Sequence, residues 1–138
     1  METPRVTTYN PKKITVSIGN HIVSGFADDS FISIEYNGDG VQDNTGADGE
    51  VVRSIDPSMS YTIKLSVQQN SRTNAFLNKM FKKDQQSGGG DFPVNIKDLL
   101  GKEQFKASVA WATKPANWGR GKSQTNREWE IKCIGEFV

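Results

Sequence analysis

The chain has 138 residues, 35% of them hydrophobic and 24% charged, with a formal net charge of +1. That length suits a single domain, residues 1–138, able to bury roughly two thirds of its unfolded surface without a disulfide or structural metal. The one cysteine excludes an intrachain disulfide and fits a reducing compartment. No apolar run reaches the roughly 18 residues of a membrane-spanning helix, and Met1-Glu-Thr-Pro-Arg5 lacks the apolar core expected of a secretory signal.

Residues 1–10 are expected to form a flexible arm. Alternation of period two begins at Lys13-Ile-Thr-Val-Ser-Ile18, where Ile14, Val16 and Ile18 share one face, and Gly19-Asn20 reads as a hairpin turn into His21-Ile-Val-Ser24. A further strand is predicted from Ser30 to Tyr36. It is followed by a long inter-strand loop over 37–50, well beyond the roughly two to five residues usual for a hairpin connection. Glycines at 38, 40, 46 and 49 allow positive φ there, and the acids keep the segment in water, so it has no core to join. Val51-Val-Arg-Ser-Ile55 and Tyr61-Thr-Ile-Lys-Leu-Ser-Val67 are predicted to pair with each other around a turn at Asp56-Pro-Ser58.

One segment changes period. In Ser71 to Lys83, Phe76, Leu77, Met80 and Phe81 recur at helical spacing and form the predicted apolar core stripe of a helix. Ser71 or Thr73 caps its start, Lys82-Lys83 suit the negative end of its dipole, and Gln85-Gln-Ser-Gly-Gly-Gly90 reads as a flexible connector. Strands resume at Phe92 to Lys97, Phe105 to Trp111 and Glu128 to Ile134, with a polar loop from Lys114 to Asn126 before the last. The fold class is mainly β with one α-helix, an antiparallel β-sandwich or barrel of about eight strands with the helix packed on its side. No second domain, internal repeat or heptad pattern is visible.

The chain offers little for catalysis. His21 is its only histidine and reads as a strand-end residue, and no nucleophile elbow, Walker A or zinc-protease pattern occurs. The acid-rich loop fails EF-hand spacing, because the third and fifth positions from Asp39 are Val41 and Asp43, and from Asp43 are Thr45 and Ala47. No cofactor or metal is called for. Cys133 sits in an alternating strand and reads as a small core residue. Trp118 lies in a basic loop between Trp111 and Trp129, which raises single-strand nucleic-acid binding. Trp111 and Trp129, however, fall on strands where core burial is the default, so that reading is disfavoured.

The order of motifs resembles a family of bacteriophage structural proteins. Tyr9-Asn-Pro-Lys-Lys-Ile-Thr-Val16, Gly25-Phe-Ala-Asp28, Gly46-Ala-Asp-Gly-Glu-Val51 and Arg127-Glu-Trp-Glu-Ile131, in that order, look like the tail tube proteins of contractile-tailed phages. The likeness covers nearly the whole chain and rests on the ordered set, since no single motif is specific. The triple glycine at 88–90 and a longer, more basic helix end depart from the pattern. The resemblance implies a sandwich assembling into hexameric rings that stack into a hollow tube, as in contractile bacteriocins and type VI secretion. The partner is then another copy of the chain, with sheath, baseplate and tape-measure proteins around it. Genomic DNA passes through the bore without specific binding, no membrane is involved, and the location is the virion tail, assembled in the host cytoplasm.

Charge adds a candidate contact. Residues 1–69 carry five basic against nine acidic residues, a balance of −4, and residues 70–138 carry twelve against seven, a balance of +5. Opposite patches steer head-to-tail association. The expected contact between rings therefore sets Asp39, Asp43, Asp48 and Glu50 of the loop against Lys114, Arg120, Lys122 and Arg127. The alternative is a monomeric β-sandwich binding module for a carbohydrate or protein ligand, reading carbohydrate through Trp118, Asn117 and Asn126.

Overall fold

The computed structural model describes residues 4–28 and 30–138. Residues 1–3 of the expected arm lie outside the described residues; residues 4–10 carry no regular secondary structure. A 3-10 turn at Pro11–Lys13, capped by the Asn10 side chain accepting from the Lys12 N–H, leads into the first strand. In chain order the elements are β1 (Ile14–Ile18), β2 (His21–Ile22), β3 (Ile32–Tyr36), β4 (Val41–Thr45), β5 (Val51–Ile55), β6 (Ser60–Gln68), α1 (Arg72–Ser87), β7 (Phe92–Asp98), β8 (Glu103–Ala112) and β9 (Asn126–Phe137).

Seven strands form one antiparallel sheet in the order β2-β1-β7-β8-β9-β6-β3, and β4 and β5 form a separate pair. The expected sandwich is made by that one sheet curling over itself. Inward residues of β1 and β7 (Val16, Ile18, Val94, Ile96) belong to the same buried cluster as those of β6 and β9 (Ile63, Leu65, Trp129, Ile131). The turn at Gly19-Asn20 is as read, with Ile18 opposite His21 and Gly19 at φ 61°. A bulge between Ala107 and Val109 shifts the register of β8. It leaves Ala110 and Ala112 in the core and turns half-buried Trp111 to the outer face. Trp111 is therefore not the core residue expected of it, while Trp129 is.

The helix runs a full turn further than its apolar spacing suggests. Gln85, Gln86 and Ser87 are helical, and the chain stops only at Gly88, whose φ of 72° is the left-handed cap that glycine supplies. Lys82 and Lys83 consequently lie before the last turn, which holds no basic residue. Ser71 is the N-cap, its hydroxyl accepting from the Thr73 N–H. Leu77 is completely buried, and Phe76, Met80 and Phe81 pack half-buried against the core.

The first helical turn is also bound to the sheet by polar contacts. The buried Trp129 indole N–H donates to the Asn74 side-chain oxygen at 2.9 Å, and the Asn74 amide donates to the carbonyls of Gln68 and Gln69. His21 stacks on Phe76 with ring centroids 4.9 Å apart and shares a 2.9 Å hydrogen bond with the Thr73 hydroxyl.

Leu77→Ala is expected to cost about 2–5 kcal/mol, as truncation of a fully buried leucine does, and thermal unfolding measures it. Burial holds the His21 imidazole below its ordinary value of 6.5. The unfolded chain then takes up the proton more readily, so this site's contribution to stability is present above that value and is lost as the pH falls through it. Between about pH 7 and about pH 5.5, the melting temperature of His21→Gln should fall less than that of the parent.

Candidate assembly surfaces

The segment expected as a loop is partly strand, at Val41–Thr45. β4 pairs with β5, Val41 facing Ile55, Asp43 facing Arg53 and Thr45 facing Val51. This overturns the expected pairing of residues 51–55 with 61–67, because β6 is already flanked by β3 and β9 along its length. Every residue of β4 and β5 is exposed, so the hairpin projects from the domain and adds nothing to its core. Alternation places Val41, Val51 and Ile55 on one face with Thr45 and the Asp43–Arg53 pair, and Val52 on the other with Gln42, Asn44 and Ser54. Sequence reasoning missed this apolar face; its signal was the pattern Val51-x-x-x-Ile55, assigned instead to the main sheet.

The base of the hairpin is clamped. The Asp56 carboxylate accepts from the backbone N–H of Asp39 at 2.8 Å and of Ser58 at 2.9 Å, and these bonds hold its pKa below the ordinary range. The Tyr36 hydroxyl donates to the Ser58 carbonyl, and the Asp56 N–H to that of Gly40. Gly38 fits because a Cβ there would run into the Tyr36 hydroxyl and lie 2.8 Å from Asp56. At the tip, Asp48 accepts from the Glu50 N–H. Of the four acids expected at a contact, Asp48 and Glu50 thus crown the tip, Asp39 lies at the base, and Asp43 faces a basic residue of its own hairpin.

The basic loop lies at the opposite end of the sheet. β6 starts beside the hairpin base at Ser60 and ends at Gln68, about 26 Å away at the usual rise of a strand. There the Gln69 N–H donates to the Thr125 carbonyl, and Thr125 donates through its hydroxyl to the Gly119 carbonyl, anchoring the loop. Lys114, Arg120 and Lys122 are exposed, and the Arg120 guanidinium lies 4.3 Å from the centre of the exposed Trp118 ring. Arg127 is different: it is 8% exposed and donates to the carbonyls of Ala116 and Asn117. Its charge is spent inside the chain, because a buried guanidinium must satisfy its donors, and only the other three are free on this surface.

A cleft of about 440 Å³ lies beside the same loop, lined by Lys64, Lys114, Asn117, Glu128 and Glu130 among others. Asn117 lines it but Trp118 and Asn126 do not, so the residues of the carbohydrate reading do not converge. Cys133 is fully buried, and burial raises its thiol to about 11.

A family model described as the Bacteriophage PhiTE tail tube protein matches residues 8–135. The chain belongs to the phage tail tube protein family. It is similar to Structural protein ORF10 of Pseudomonas phage KPP10, 27% identical over 135 residues that cover 92% of this chain and 78% of the relative. The same fold occurs in the tube-terminating cap of the anti-feeding prophage, with TM-score 0.65, 11% identity and coverage of 100% and 95%. It occurs again in the PVC sheath–tube complex of an extracellular contractile injection system, with TM-score 0.57, 14% identity and coverage of 95% and 90%. In this tail tube protein, Cys133 is expected to resist iodoacetamide at about pH 8, where only about one thiol in a thousand is ionised. It should react on unfolding, which mass spectrometry of the labelled chain resolves.

Proposed function

We propose that this tail tube subunit is a non-enzymatic building block that closes into hexameric rings and stacks them head to tail into a hollow conduit for DNA. The observation that carries the stacking is the hairpin 41–55, a fully exposed element with an apolar face and an acidic tip, at the opposite end of the sheet from Lys114, Arg120 and Lys122. An isolated two-stranded hairpin is marginal in water, so an apolar hairpin face held out from its own domain gains from burial on another copy. Contacts between unlike ends are heterologous and repeat without limit along an axis. Ring closure is supported by the sheet, whose terminal strand β3 has, among the described residues, a partner on one side only and so presents an unpaired edge for a neighbour to cover.

In this reading the apolar face of the hairpin supplies most of the contact energy, and the acidic tip with the basic loop supplies orientation and rate. Asp39 and Asp43 are placed within the hairpin's own framework, and Arg127 acts by holding the loop in place. Sheath, baseplate and tape-measure proteins are the further partners, DNA traverses the bore without specific contacts, and the assembly forms in the host cytoplasm and remains in the virion tail.

Replacing residues 41–55 by an Asn-Gly turn should leave the melting temperature of the subunit near that of the parent and abolish long tubes in negative-stain images. Tubes of parental length from that variant would remove the hairpin from the mechanism. Glu50→Lys with Asp48→Asn should slow tube growth at low ionic strength, and the difference should shrink in high salt, since exposed charges are screened over about 8–10 Å at physiological salt. Light scattering against salt concentration measures both.

A further inference from the structure

We infer that residues 5–9 of one copy add as a strand to the free edge of β3 in a second copy, and fill the apolar groove between β3 and β1. This deepens the tube reading and rests on it: the arm is the element that covers the open edge. Three features meet at this groove. The first is its lining, Ile14 of β1, Ile32 and Ile34 of β3, Ile96, Phe105 and Phe137, with Asp98 and Glu103 also lining it. Ile14, Ile32 and Ile34 are only partly buried there, and Phe137 is half exposed although it packs edge-on against Phe105. Its volume of about 170 Å³ falls below the roughly 300–1,000 Å³ of small-molecule sites and suits one or two side chains brought in by a strand.

The second feature is the backbone. Among the described residues, β3 has a partner only in β6, and β2 pairs with β1 only at Ser17 and Ile18. The Val16 carbonyl accepts from the Val23 N–H, so the β1 edge left uncovered by β2 is that of Ile14 and Thr15, and a strand lying along β3 would bridge toward it. Strand addition to such an edge takes its affinity from main-chain hydrogen bonds and its specificity from alternate side chains.

The third feature is the occupant. Arg5-Val-Thr-Thr-Tyr9 is rich in strand-forming residues yet pairs with no strand among the described residues of its own subunit. Val6 is 90% exposed and Tyr9 65% exposed. None of residues 5–9 lines the groove of its own subunit, which leaves a neighbour's groove for them to fill. Arg5 on the arm, with Lys12 and Lys13 after it, complements Asp98 and Glu103 on the groove. The hairpin tip, with Asp48 and Glu50, would bring like charge to the same place, which costs affinity.

The test uses the full chain and two kinds of variant. Val6→Asp with Tyr9→Asp should leave the melting temperature unchanged, since both side chains are exposed, and should abolish rings at concentrations where the parent chain assembles. Rings of parental stability from this variant would overturn the proposal while leaving the tube reading intact; failure of the parent chain itself to form rings would instead overturn the tube reading. In a separate variant, Val6→Cys is combined with Ile34→Cys and oxidised after assembly, Cys133 being buried. A ladder of covalent oligomers on a non-reducing gel is the expected result. An intrachain disulfide alone would mean that each arm fills its own groove, and no disulfide would mean that the arm lies elsewhere; either overturns the inference.

Discussion

The hydrogen bond from the Trp129 indole to Asn74 organises the end of the molecule on which the rest depends. A fully buried indole N–H left without an acceptor costs about 1–3 kcal/mol, and Asn74 on the first turn of α1 is the group that meets it. The Asn74 amide then needs acceptors of its own and finds them in the carbonyls of Gln68 and Gln69, where β6 ends. Gln69 in turn bonds Thr125, and Arg127 bonds Ala116 and Asn117. One buried donor thus links the helix, the central strands and the basic loop, and the loop's exposed cations stand on a fixed base.

The other end is built on the opposite principle. The hairpin is rigid at its root, through Asp56, Tyr36 and Gly40, and has no packing beyond it. A monomeric protein gains little from an apolar β-ribbon in water, and exposed edges are ordinarily protected. Here the hairpin, the edge of β3 and the arm around Val6 and Tyr9 are all unprotected. Surfaces left unsatisfied in this way are what the proposed assembly from copies of the chain would cover.

The side chains most often used in chemistry are placed in the packing. Its one histidine serves packing, stacked on Phe76 and bonded to Thr73 at the start of the helix. Its one cysteine is a buried core residue whose thiol is pushed up to about 11. Arg127, the one free-looking cation that turned out to be buried, is a structural residue.

Local pattern was enough for whatever local physics decides. The alternation of Ile14, Val16 and Ile18, the turn at Gly19-Asn20, the apolar stripe of the helix and the cap at Ser71 were all legible, because each depends on side-chain period or turn chemistry within a few residues. Family membership was legible too, from the order of motifs along the whole chain. Partnership between strands was not. Val51 to Ile55 alternates as well as any strand in the sheet, and only the presence of β3 and β9 on either side of β6 sends it to pair with β4 instead. The bulge at Ala107 that turns Trp111 outward, and the burial of Arg127 under carbonyls ten residues away, have the same character. Sequence determined which segments extend, which coil into a helix and what family they serve; tertiary structure decided which edges stay open and which charges stay free, because those depend on which distant segments already occupy the space beside them.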